Sequence, residues 1–410
     1  MAGLRKIRMS GNDMVPWHVL AVSWLFLLLP TLFVTDSGAP RLFSGAALAA
    51  AAETPSKGKQ LLDDLVRRAR QEGALNATVY IPFRGKIEAQ LVEAFQKRFG
   101  LQIKVTTAAG ASAQEYPKAI AETKAGAPSA YDTLWGTATD NMVLVGAGGT
   151  QRVENWEALL AEINPMVGSG KIRPEQISPR PLQGHGFLGW SRPKALVYNR
   201  SVISKDDLPK THSDLGHPKY KGKLTQPAWP DSWDIAPAVF EPFDKEKWLQ
   251  IIRKTAENTY SVEFEIPGTQ RVVLGEVGLA FDNAGHALSL LHKDPQLPIV
   301  IAYFQDYNPI IDFLYVVRKG ARHPAAATLF AMWTTTPEAA TIWQTADDFV
   351  TQLRLGDSAL DRKVRETITR NSAPMIGFLD NEKTAKVLEW YSTEEGTKFR
   401  RAIADAIRGK

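Results

Sequence analysis

At 410 residues the chain is longer than one compact domain usually is, so two domains are expected. Charged residues at 23% and hydrophobic ones at 44% are the proportions of an ordinary globular protein, and they exclude a disordered chain. The net charge is +5, of which four basic and two acidic residues precede Glu53, and this excludes the dense basic stripe that nucleic acid requires. The absence of cysteine excludes disulfides, thiolate metal sites and cysteine nucleophiles.

Arg5, Lys6 and Arg8 stand before the apolar run Val19–Leu29, and small residues follow at Gly45–Ala52. A basic start, an apolar middle and an Ala-x-Ala end make residues 1–52 a secretory signal peptide, cleaved after Ala49 or Ala52. Without a cysteine to carry lipid, the product would be free in the periplasm.

Lys59–Glu72 reads as an amphipathic helix with Leu61, Leu62, Leu65, Val66 and Ala69 on one face. Three strand-to-helix junctions follow. Ala77–Ile81 runs into Pro82–Gly85 and a helix over Ile87–Phe99, and Leu101–Thr106 runs into Ala109–Ala113. Asp132–Trp135 runs into Gly136–Asp140. Alternating strands and helices at this spacing predict a parallel sheet flanked by helices, with ligands bound beyond the carboxyl ends of the strands. Arg84, Ser112, Trp135, Thr137 and Thr139 fall at those ends; the hydroxyls suit either helix capping or an anion.

In the middle of the chain, Gly189–Asn199 combines Pro193 with the apolar run Ala195–Tyr198, a strand stopped by a turn. Asp206-Asp207-Leu208-Pro209 and Lys221-Gly222-Lys223 follow. This order resembles the crossing from first to second lobe in periplasmic solute-binding proteins of ABC importers. The resemblance extends in outline from about residue 75 to 345. It includes Phe99-Gly100 with its small Gly-Ala-Ser loop, Tyr131–Trp135, and Gly268–Phe281. It is closest in Tyr307–Val317, Lys319-Gly320-Ala321, His323-Pro324 and the alanine-rich helix after them. The family includes ferric-iron-, polyamine- and thiamine-binding members.

The resemblance implies an α/β, two-lobed type II periplasmic-binding-protein fold, each lobe a mainly parallel sheet joined to the other by extended hinge crossings. Lobe 1 would begin at 53–190, the hinge and lobe 2 would occupy 191–330, and C-terminal helices over 331–410 would return to lobe 1. The stretch after Asp347 is polar and helical, with no chemistry legible in it; it forms either a second-lobe surface or helices wrapping back on the first lobe.

In the second lobe, Trp229, Asp231, Trp233 and Asp234 fall within one short loop. Either indole can pack in the core, and Asp231 can cap a helix; together they could also hold an organic cation. Asn283, His286 and Tyr307 complete the expected cleft, with His286 lacking a second histidine at a metal-ligand spacing. The implied function is capture of a small organic ion and its delivery, without chemistry, to a permease in the inner membrane. The protein would act as a monomer, with no cofactor, resident metal or nucleic acid. Arg84 and Ser112 suit an anion; Asp231, Asp282 and Trp135 suit a cation. Ferric iron is an alternative cargo, but the family's adjacent tyrosines are missing, since Tyr303, Tyr307 and Tyr315 are spread out. A sensor that presents its closed form to a receptor, or a hydrolase on the same scaffold, also remains open.

Overall fold

The computed structural model describes residues 56–80, 85–110, 112–263, 265–345 and 351–410. The expected signal peptide and Arg84 lie outside them. The chain begins with α1 (Lys57–Glu72), capped by Ser56 Oγ on Lys59 N and ended by Gly73 at φ 68°. Its apolar face is the one the sequence predicts: Leu65 and Ala69 are buried.

The first lobe follows as β1 (Ala74–Val79), α2 (Lys86–Phe99), β2 (Lys104–Ala109), α3 (Ser112–Ala125), β3 (Thr133–Thr137), α4 (Ala138–Gly146) and α5 (Trp156–Ile163). Short helices α6 (Pro165–Gly168) and α7 (Pro174–Ile177) lead to the long β4 (Gly186–Asn199). The second lobe contains β5 (Leu224–Pro227), α8 (Ala236–Val239), α9 (Lys245–Asn258), β6 (Thr259–Glu263), α10 (Glu265–Leu274), β7 (Leu279–Asn283), α11 (Ala284–Lys293) and β8 (Ile299–Ala302). The chain then crosses again in β9 (Asn308–Val317). After it come α12 (Pro324–Trp333), α13 (Pro337–Trp343), α14 (Ala359–Arg370), β10 (Met375–Gly377), α15 (Glu382–Trp390) and α16 (Glu394–Ile407).

The strands form one sheet in the order β2-β1-β3-β9-β4-β7-β5-β6, with β10 beside β9 and β8 beside β4. Pairing is parallel where each lobe alternates strand and helix, in β1 with β2 and β3 and in β5 with β6 and β7. It turns antiparallel at the two crossing strands, except that the short β10 lies parallel to β9. From Gly186 to Pro193, β4 pairs with β9; from Lys194 to Asn199 it pairs with β7 and, near its end, β8. The change of partner falls beside Pro193, which has no N–H to give to a ladder, and Pro309 occupies the matching region of β9. These two strands are therefore both the spine of the sheet and the link between lobes.

The first-lobe core gathers Phe95, Trp156, Trp190, Tyr315, Phe330 and Trp333. The second-lobe core gathers Trp233, Trp248, Phe281, Phe304 and Tyr307. Residues 331–410 divide between the two. Helices α12 and α13 join the first-lobe core through Trp333 and Trp343. Beyond them, α14 lays Leu360, Val364 and Ile368, one helical face, on the core around α11. In the same way α16 buries Phe399, Ile403 and Ile407 in the second-lobe core with α9.

Candidate functional site

A cleft of about 910 Å³ opens where the carboxyl ends of the strands meet the crossing. Its walls come from four places. The first-lobe junctions contribute Tyr80, Ser112, Trp135, Thr137 and Asp140; the crossing strands contribute Arg192, Lys194, Ile311 and Phe313. The second lobe adds Trp229, Pro230 and Asp231 after β5, and Ile266 and Pro267 on α10. The fourth wall is one face of α16, formed by Thr397, Arg400, Arg401 and Ala404.

The aromatic part of the wall is built on the crossing. Tyr80 meets Trp135 edge-on at 5.1 Å, and Trp190 stacks on Phe313 at 5.3 Å with 13° between the rings. The Arg192 guanidinium lies 4.4 Å from the Tyr80 ring centroid and 5.1 Å from that of Phe313. Cation–π contact on two rings orients this guanidinium at the hinge. In the first-lobe wall, Tyr116 donates to Asn141 Oδ1 at 2.6 Å. Gly136 makes room for it: a Cβ there would sit 2.6 Å from the Tyr116 ring.

The charged part centres on Arg400. Its Nη1 donates to Asp140 Oδ1 at 2.7 Å, Nη2 to Asp231 Oδ1 at 2.8 Å, and Nε to Asp234 Oδ2 at 3.3 Å. One guanidinium thus holds a first-lobe carboxylate and two from the second-lobe loop. Burial pushes Asp234 up to about 7, against the pull of Arg400 and with a further push from Asp231. Asp231 is raised by burial as well, while Arg400 and Lys194 act to lower it. Arg400 itself is held firmly charged by its three partners, which outweigh its burial.

Of the residues expected at the site, Ser112, Trp135, Thr137, Trp229 and Asp231 line the cleft. Thr137 also caps α4, its Oγ1 accepting from Asp140 N at 3.1 Å. Arg84 lies outside the described residues. The other five do not line the cleft. Thr139 donates its hydroxyl to Asp234 Oδ2 at 3.3 Å, behind the wall. Trp233 is a core residue, fully buried against His212, Trp248 and Phe281. The short turn Pro230–Ser232 between the two indoles sends Trp229 to the cleft and Trp233 inward.

Asn283 caps α11, accepting from Gly285 N at 2.9 Å. His286 is buried with Nδ1 3.2 Å from Asp282 Oδ2, and Asp282 also takes the Thr269 hydroxyl. Tyr307 stacks on His212 at 4.0 Å and 7°, deep in the second-lobe core. These three side chains are engaged in capping and packing. Among the described residues no group of three His, Asp or Glu side chains is placed to hold a metal ion.

Residues 90–354 match the family model described as bacterial extracellular solute-binding protein. The chain belongs to that family. It is the solute-binding component of an ABC import system. Among solved structures this solute-binding protein is similar to iron-bound HitA from Pseudomonas aeruginosa, with 19% identity and a TM-score of 0.58 over 80% of this chain and 99% of that one. It is similar to fructose-6-phosphate-bound AfuA from Actinobacillus pleuropneumoniae, with 17% identity and a TM-score of 0.58 over 82% and 99%. The Atu4243–GABA receptor gives 14% identity and a TM-score of 0.59 over 80% and 97%. At these identities the likeness is one of fold, the two-lobed type II architecture. No curated protein matches the sequence significantly. Among the described residues of the solute-binding protein, no helix is long and apolar enough to cross a membrane.

Three signals escaped the sequence reading. Arg192 and Lys194 sit in the stretch that identified the crossing, and a basic pair flanking a hinge proline was itself a cue to the site. Tyr80 and Phe313 end or interrupt apolar strand runs and look like core. Arg400 lies on an amphipathic helix whose polar face gave no reason to expect a cleft rather than solvent.

Proposed function

We propose that the protein captures a small organic anion in the interlobe cleft and passes it unchanged to the permease. The observation that carries this reading is the charge of the wall. Among the described lining residues, Arg192, Lys194, Arg400 and Arg401 face two carboxylates, Asp140 and Asp231, both already engaged by Arg400. Ser112, at the start of α3, adds a hydroxyl and the positive end of a helix on the same side. The volume suits a molecule of metabolite size with an apolar body against Trp135, Phe313 and Trp229, well beyond a bare ion.

Ferric iron, the cargo named for HitA, suits this wall less well. The carboxylates that would ligate a trivalent cation already surround a guanidinium, and like charges at such separations repel strongly in a partly buried site. The absence of a bond-making step is part of the proposal and is supported by membership of a binding-protein family. Export through residues 1–52, residence in the periplasm and action as a monomer complete it.

The binding test is a melting-temperature screen. Acids that bind the folded state at a hundredfold over Kd add about 2.7 kcal/mol of stability. Stabilisation by organic acids with none from amines or from ferric chloride is the expected outcome; the opposite pattern overturns the proposal.

A further inference from the structure

Arg400 does more in this geometry than supply one of four positive charges. Without its guanidinium, the same stretch of wall would present Asp140 and Asp231, with Asp234 immediately behind them. Carboxylates flanked by Trp135 and Trp229 are a surface that would hold an organic cation. The side chain that prevents this comes from α16, beyond residue 354 where the family match ends. Its backbone is fixed by Phe399 and Ile403 in the second-lobe core, so the guanidinium is delivered to the cleft by a packed helix. All three of its donor atoms are used on carboxylates, in good geometry for each of the two that line the cleft.

Resting on the anion reading above, we infer that Arg400 is the specificity-determining residue that sets the sign of the ligand. It engages the acidic patch and offsets part of its charge, so that the carboxylates of Asp140 and Asp231 are not offered bare to a ligand. Its removal turns that part of the cleft into an amine site. Removal of one of its carboxylate partners makes the cleft more attractive to acids.

The test is a titration of matched acid and amine probes, benzoate and phenyl phosphate against benzylamine and 1,4-diaminobutane, followed by melting temperature and by the fluorescence of Trp135 and Trp229. Benzoate and phenyl phosphate also distinguish a carboxylate from a phosphate as the preferred oxyanion. Wild type is expected to respond to the acids. Arg400→Met is expected to weaken acid binding at least tenfold and to gain a response to the amines, whereas Arg400→Lys keeps the wild-type preference. Asp231→Asn, which leaves Arg400 its other two partners and tests the idea even if Arg400→Met fails to fold, is expected to tighten acid binding about threefold or more.

A wild type that prefers amines, or responds to neither set, overturns the anion reading and this inference with it. Wild type preferring acids while Arg400→Met keeps that preference, or while Asp231→Asn binds acids no more tightly, overturns the role of Arg400 alone.

Discussion

Ser191 on β4 donates its hydroxyl to Asp312 Oδ1 on β9 at 2.7 Å, tying the two crossing strands together at the level of the cleft. Arg354 donates Nε to the same oxygen at 2.6 Å and pairs with Asp380. Thr351 adds two further bonds to Ser191: its carbonyl accepts from Ser191 N at 2.8 Å, and its hydroxyl donates to Ser191 O at 2.6 Å. The crossing is therefore braced from outside by the chain that follows the first-lobe helices. Two-lobed proteins close by small backbone changes at such crossings.

The brace has a measurable weight. Asp312 is buried, and Arg354→Ala would strand its carboxylate without a counter-charge. Removing one partner of a buried pair costs 3–5 kcal/mol, and the lower end applies because Arg354 is one-fifth exposed. Ser191→Ala removes one hydrogen bond to a buried carboxylate and costs about 1.5–3 kcal/mol. Urea unfolding of the two variants checks both values.

Trp233 separates packing from binding. It is fully buried in the second-lobe core, and truncating such a residue costs about 3–5 kcal/mol in cavity and transfer terms. Trp233→Ala is expected to lower the urea midpoint strongly while leaving ligand affinity per folded molecule unchanged. Trp229→Ala is expected to do the reverse. Calorimetric titration beside unfolding curves distinguishes the pair.

These two tryptophans also show how far the sequence could be read. Both stand in a loop that the family resemblance assigns to the cleft, and only the turn at Pro230–Ser232 decides which one enters it. The second and third first-lobe junctions were legible because each is a short strand followed by a small hydroxyl residue, and Ser112, Trp135 and Thr137 line the cleft. Asn283 and His286 sit at a similar junction after β7, yet their side chains turn to capping and to Asp282. The choice between cap and ligand is made by tertiary packing, which leaves no local mark. Arg400 was illegible for the same reason: a helix carries its polar face identically whether that face meets water or a cleft.

The acid cluster predicts a pH dependence. Burial raises Asp234 to about 7 from an ordinary 3.8, so between these values the folded protein holds a proton that the unfolded chain has released. Folding is then favoured by acid, and the contribution is lost as the pH rises through about 7. Melting temperature is expected to fall from pH 5 to 8, and Asp234→Asn is expected to flatten that slope.

Arg192 is a cation of the cleft wall carried by the crossing strand β4. Arg192→Met retains an apolar stem against Tyr80 and Phe313 but loses the charge. Charge-assisted hydrogen bonds contribute about 1.5–3 kcal/mol, so acid binding should weaken roughly 10- to 100-fold. Calorimetric titration with an acid that stabilises the wild type gives the ratio directly.

Native mass spectrometry of the protein purified from its native host tests the central claim most directly. A retained small molecule that leaves on denaturation and proves to be an organic acid is the predicted result. A released amine, or iron in its place, would contradict it.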